Sequence, residues 1–146
     1  MREVSAQIVV AASCERALRA FLEVDAMRQW WGVERGLVET HEGGVWALAW
    51  ERSDHGFRYV STGTIAAYRP GEYLRIENMV YLNPDHVVLG PMQLHVSVSD
   101  DEGGTLLAVR QSGYQEGEEW DWYYQAVVQA WPVTLEMVKE FLESSP

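Results

Sequence analysis

Residues 118–143 read EEWDWYYQAVVQAWPVTLEMVKEFLE, the longest periodic run in the chain. Trp120, Tyr124, Val127, Val128, Trp131, Leu135, Val138 and Leu142 recur at spacings of three, four and one. On a 100° wheel they form one apolar stripe, so the run predicts a long amphipathic helix. Glu118, Gln125, Gln129, Glu136, Glu140 and Glu143 fall on the other face. Glu116, Glu118, Glu119 and Asp121 cluster at the start, where the helix dipole favours negative charge. Pro132 has no N–H to give to the preceding turn, which predicts a kink near Trp131. Trp122 lies off the stripe: either the helix begins later, or that ring covers a loop or a partner.

Upstream of this run the period changes from 3.6 to two. Between Gly36 and Tyr114, turn residues punctuate alternating segments at Gly43-Gly44, Ser53-Asp54-His55-Gly56, Arg69-Pro70-Gly71-Glu72 and Asp100-Asp101-Glu102-Gly103-Gly104. The strands expected between them are Gly36–His41, Val45–Glu51, Phe57–Tyr68, Tyr73–Tyr81, Pro91–Ser99 and Thr105–Gly113. Asn83-Pro84-Asp85 opens a longer connection before the fifth of these. The segment from Glu3 to Ala11 alternates as well and makes a seventh strand. Ser13 then caps a helix expected over Cys14–Glu23, and Asp25 caps a short second helix through Trp31 that Gly32 closes. Tight turns between successive strands imply an antiparallel meander.

Composition bounds the function. The 146 residues carry 22 Asp and Glu against 11 Lys and Arg, a formal charge of −11. Such a chain is poorly suited to neutralising nucleic-acid phosphates or to meeting an anionic membrane. No apolar run approaches the ~20 residues that span a bilayer, and the N-terminal residues lack the apolar core of a signal peptide. The single Cys14 cannot pair within the chain, as expected of a cytoplasmic protein. Residues 1–146 are the length of a single domain. Seven Trp, seven Tyr and three Phe are a large aromatic content for that size. Such rings fill cores and also line apolar ligand pockets.

The element order is strand, two helices, six strands and one long helix, an α+β arrangement. Seven twisted strands curl, and a single helix laid across their concave side leaves a hollow. The order resembles the helix-grip fold of the START-like (SRPBCC) superfamily. Ala12-Ser13-Cys14-Glu15, Met27-Arg28-Gln29-Trp30-Trp31-Gly32 and Gly63-Thr64-Ile65 leading to Pro70 are similar to the activator of heat shock protein ATPase homologue family. So are Gly104-Thr105-Leu106-Leu107 before Gln111-Ser112-Gly113-Tyr114, and Ala130-Trp131-Pro132 with Leu135 and Val138. The resemblance implies a curved antiparallel sheet wrapped around the last helix. It also implies two alternative roles, a chaperone-associated interaction module or, as in some superfamily relatives, an enzyme acting on a polycyclic or polyketide-like substrate.

Alternation along the strands assigns the side chains that face the hollow. Trp46, Leu48 and Trp50 share one face of their strand, as do Phe57, Tyr59, Ser61, Gly63 and Ile65 in the next. Leu74, Ile76, Asn78 and Val80 follow, then Met92, Leu94, Val96 and Val98, then Leu107, Val109 and Gln111. A one-residue bulge inverts any such set. The walls are apolar and aromatic with sparse polar groups, the composition of a site for a small hydrophobic or aromatic ligand. The expected wall is Trp30, Trp31, Trp46, Trp50, Tyr59 and Tyr124, with Asn78 and Gln111 as polar anchors and Val128 and Trp131 packing behind. The loop run Val87-Val88-Leu89 reads as a lid over the entrance or as a homodimer surface.

Catalytic and metal motifs are absent from this reading. His41, His55, His86 and His95 are scattered, with no pair at ligand spacing. Gly43-Gly44 and Gly103-Gly104 are turns and not phosphate loops, no Gly-x-Ser-x-Gly occurs, and no ionisable group is expected in the pocket. No cofactor is implied.

Overall fold

A computed structural model describes residues 2–144. In chain order the elements are β1 (Glu3–Val10), α1 (Cys14–Arg19), α2 (Val24–Trp30), β2 (Arg35–Val38), β3 (Val45–Ser53), β4 (Gly56–Arg69), β5 (Tyr73–Leu82), β6 (Leu89–Asp101), β7 (Gly104–Ser112) and α3 (Glu118–Ser144). The strands form one seven-stranded sheet in the order β1-β7-β6-β5-β4-β3-β2. Every pairing is antiparallel, with β1 joined to β7 from Glu3↔Ser112 to Val10↔Thr105. This is the helix-grip arrangement: a curved sheet, one long helix, and two short helices after the first strand.

The sheet curls because its centre is irregular. The β4–β5 register slips between Thr62 and Thr64 and again between Ile65 and Ala67, and the β5–β6 register slips on either side of Met79. Each bulge adds local twist and bends the strand. The resulting concave face carries Leu74, Ile76, Leu94, Val96, Leu107 and Val109, all buried. Across it lies α3, whose Val127, Trp131, Leu135, Val138 and Leu142 are buried in turn. The helix is uninterrupted through Pro132.

The corner after β1 is tighter than the sequence suggests. Ser13 Oγ accepts from the Arg16 N–H at 3.1 Å, as an N-cap should. The first helix stops at Arg19, because Phe21 and Leu22 bond back to Leu18 and Arg19, three residues away, in a tightened last turn. The second helix is capped by Glu23 and not by Asp25, and Glu23 makes no side-chain capping bond. It ends at Trp31 before Gly32, whose φ of +73° is the left-handed conformation that glycine adopts without cost. The second strand is also shorter than expected, because residues 39–44 turn back through His41 N–H to Glu39 and Gly44 N–H to His41.

Candidate functional site

Three tryptophans are fixed in place by their indole N–H groups before they contribute to any site. Trp30 Nε1 donates to the Ala20 carbonyl at 3.0 Å, Trp46 Nε1 to Phe21 at 2.9 Å and Trp50 Nε1 to Trp31 at 3.1 Å. The last two bonds tie β3 to the helical corner, the first holds the corner together, and all three satisfy donors that burial would otherwise strand. Trp31 is the hub of the cluster. It stacks on Trp30 at 4.9 Å and 9°, meets Trp50 edge-on at 5.3 Å, and touches Trp131 of α3 at 5.8 Å.

Beside this cluster the sheet and α3 separate, leaving a cavity of about 470 Å³. Trp31, Trp46, Trp50, Tyr59 and Ser61 line one side. Met79, Tyr81, Leu94 and Gln111 line the sheet beyond them, and Trp122, Tyr123, Ala126, Val127, Ala130, Trp131 and Thr134 face it from α3. The floor is deeply buried, with Trp46, Leu94, Met79 and Gln111 almost inaccessible. Trp122, Ala126 and Ala130 are exposed, so the mouth opens along the N-terminal half of α3.

The polar groups on the floor are connected. Trp131 Nε1 donates to Gln111 Oε1 at 2.9 Å, and Gln111 Nε2 donates to the Tyr123 hydroxyl at 3.1 Å and towards Met92 Sδ at 3.5 Å. Nearer the rim, Asn83 Nδ2 approaches the Tyr81 hydroxyl at 3.4 Å, and the Tyr81 and Tyr123 rings lie 4.7 Å apart. Among the described residues, tyrosine hydroxyls are the ionisable groups on the wall. Burial pushes the Tyr123 hydroxyl well above the ordinary tyrosine range, outweighing the opposing bond from Gln111. Burial likewise raises Tyr81 against the bond from Asn83. Both therefore remain neutral donors at physiological pH.

Of the residues expected at the wall, the structure brings together Trp31, Trp46, Trp50, Tyr59, Gln111 and Trp131. Four others lie elsewhere. Trp30 is buried behind Trp31 against Phe21 and does not reach the cavity. Asn78 is exposed with φ +53°, because the bulge between Ile76 and Met79 inverts the alternation of β5 and turns Met79 and Tyr81 inward instead. Tyr124 packs edge-on against Tyr114 at 5.1 Å beneath the Arg2 guanidinium, and its neighbour Tyr123 takes the cavity position. Val128 is likewise displaced by Val127, one step round the helix. Tyr123, Met79, Tyr81 and Thr134 are wall residues that periodicity alone passed over. Gln111 stands where expected, but its amide is engaged by protein partners on both sides.

Other polar side chains pair away from this cavity. His86 pairs with Glu119 at 2.8 Å, and His95 Nδ1 meets the Tyr73 hydroxyl at 2.9 Å on the outer face of the sheet. Burial and the nearby Arg110 and Arg75 lower the His95 pKa. Among the described residues no group of three or more His, Cys, Asp or Glu converges on a metal position, and no helix is long and apolar enough to cross a membrane.

The family model described as Activator of Hsp90 ATPase homolog 1-like protein matches residues 11–143. Solved structures share the fold at low identity. Protein MLL2253 from Mesorhizobium loti superposes with a TM-score of 0.79 at 17% identity over 99% of both chains. The Aha1 dimer from Colwellia psychrerythraea gives 0.74 at 16% identity over 98% of this chain and 97% of that one. CalU16 from Micromonospora echinospora gives 0.67 at 18% identity over 99% and 77%. No curated protein is similar enough in sequence to match.

Proposed function

The chain belongs to the family of Activator of Hsp90 ATPase homolog 1-like proteins, and from that premise we propose that it binds a small, uncharged, largely aromatic molecule between the sheet and α3. The observation that carries this reading is the cavity of about 470 Å³ walled by Trp31, Trp46, Trp50, Tyr59, Tyr81 and Trp131. Its size falls in the range of small-molecule sites, and its wall has their composition: extensive aromatic surface with a few convergent polar groups. A charged ligand would find no counter-ion on that wall and would lose its hydration there. An uncharged ring system loses little and gains ring-to-ring contact.

Fluorene, an uncharged tricycle, is a suitable probe. It should quench tryptophan fluorescence saturably and raise the melting temperature as mass action requires of a ligand selective for the folded state. Ala130→Leu, which projects a larger side chain from the exposed rim of α3, should abolish both effects while leaving the denaturation midpoint almost unchanged. A melting temperature indifferent to fluorene up to its solubility limit would refute the reading. A second expectation concerns assembly: Val87 and Val88 are exposed beside the mouth, and one structural relative is a dimer. Sedimentation of the wild type against Val88→Asp tests whether that loop joins two copies.

A further inference from the structure

We infer that the Trp131–Gln111–Tyr123 chain makes the Tyr123 hydroxyl an obligate hydrogen-bond donor to the bound molecule, so that the ligand is a neutral aromatic compound carrying a carbonyl-type acceptor. This rests on the reading of the cavity as a ligand site and specifies what that site selects.

The direction of the chain follows from donor chemistry. An indole N–H can only donate. The group of Gln111 that lies 2.9 Å from Trp131 Nε1 must therefore be its amide oxygen, because the reversed amide would set N–H against N–H. Fixing the oxygen there directs the amide nitrogen at Tyr123, where it donates to the hydroxyl oxygen at 3.1 Å. The Tyr123 oxygen already accepts, so its own hydrogen must point elsewhere. No described residue accepts it. Tyr123 is 7% exposed and lines the cavity, so an acceptor for that hydrogen has to arrive with the ligand or with a water that the ligand displaces.

Polarisation along the chain strengthens that last bond. Each donor in a series makes the next hydroxyl a better one, and the surroundings here are apolar. The Tyr81 hydroxyl repeats the arrangement more weakly, receiving the Asn83 amide at 3.4 Å and keeping its own hydrogen to give. Gln111 is a positioning residue in this scheme, and Tyr123 is the group that touches the ligand.

Fluorenone and fluorene form a matched pair, alike in outline and differing in a ring carbonyl, and calorimetry of each against wild type and Tyr123→Phe tests the inference. Wild type should prefer fluorenone roughly three- to tenfold, the worth of one net hydrogen bond. Tyr123→Phe should erase that preference by weakening fluorenone alone. In the wild-type complex the fluorenone carbonyl stretch should fall below its frequency in hexane, and in Tyr123→Phe it should return. Equal affinities of wild type for both compounds, or a bound carbonyl stretching as in hexane, overturn the donor assignment while leaving the cavity as a site. Failure of both compounds to bind overturns the cavity reading and this inference with it. The infrared measurement on wild type decides the matter even if the variant is unstable.

Discussion

The imidazole of His86 lies flat on the indole of Trp122, with ring centroids 3.7 Å apart and planes 10° from parallel. His86 Nδ1 also meets the Glu119 carboxylate at 2.8 Å. These two contacts fasten the β5–β6 connection to the first turn of α3 at the mouth of the cavity. They also account for Trp122, which lies off the core stripe: His86 of the loop covers one face of its indole, while the ring stays partly exposed at the rim of the cavity. An aromatic pair at a half-exposed site contributes about 0.5–1.5 kcal/mol. Trp122→Ala should therefore cost no more than that in urea denaturation, yet speed release of bound fluorene in stopped-flow displacement. An unchanged release rate would mean that the ring does not guard the mouth.

The buried face of α3 makes a sharper energetic contrast. Trp131 is 6% exposed, contacts Trp31 and donates to Gln111, whereas Gln125 is exposed. Trp131→Ala should cost roughly 3–5 kcal/mol, and Gln125→Ala should stay within about 0.5 kcal/mol. Coincident denaturation midpoints for the two variants would contradict this account of the helix.

Alkaline pH tests the two deeply buried tyrosines. Burial raises the pKa of both Tyr114 and Tyr123 well above the ordinary 10.0. Below pH 10 both are neutral in the native and the unfolded chain, and their contribution to stability is complete. As pH rises past 10 the unfolded chain releases protons from these two tyrosines, and in part from Tyr81, that the native state retains, so stability falls. The slope should be about 1.4 kcal/mol per pH unit for each tyrosine. Tyr114→Phe should lower the slope between pH 10.5 and 11.5 by about 1.4 kcal/mol per pH unit, the share of one tyrosine. It should cost nothing at pH 7, since the Tyr114 hydroxyl is buried with no hydrogen-bond partner among the described residues. A marked loss at pH 7 would show that this hydroxyl is bonded in solution.

What the sequence disclosed of the site depended on whether a strand keeps its register. β3 and β4 pair without interruption from Trp46↔Gly63 to Trp50↔Tyr59, and β6 and β7 from Gln93↔Ser112 to Asp101↔Gly104. Simple alternation accordingly located Trp46, Trp50, Tyr59 and Gln111. In β5 the bulge after Ile76 breaks the count, and every residue beyond it changes face. Asn78 itself held a faint signal, since asparagine is among the few residues that tolerate a left-handed backbone. On α3, Tyr123 and Tyr124 are adjacent aromatic residues near the edge of the stripe. Periodicity cannot rank them; the choice is made by Gln111 on β7, which reaches Tyr123. The fold was legible because it needs only the order of elements and the hydrophobic stripe, whereas the site needs a register accurate to one residue.

The same bulge gives the last prediction. Gly63 of β4 sits against it so closely that a Cβ there would lie 2.6 Å from Ile76 Cγ2 and 3.1 Å from the Glu77 carbonyl oxygen. Ile76 is fully buried and has little room to retreat, so Gly63→Ala should cost about 1–3 kcal/mol through overpacking. It should also weaken fluorene binding, because displacing the bulge moves Met79 and Tyr81, which line the cavity. Asn78 supplies the complementary test. Its φ of +53° suits asparagine or glycine and penalises a bulkier side chain. Asn78→Leu should thus lose on the order of 1–2 kcal/mol of stability, while Asn78→Gly stays close to wild type. Because the Asn78 side chain is exposed, Asn78→Gly should leave the affinities for fluorene and fluorenone unaltered. Selective weakening of fluorenone in Asn78→Gly would place that amide in the cavity and the bulge in the wrong register.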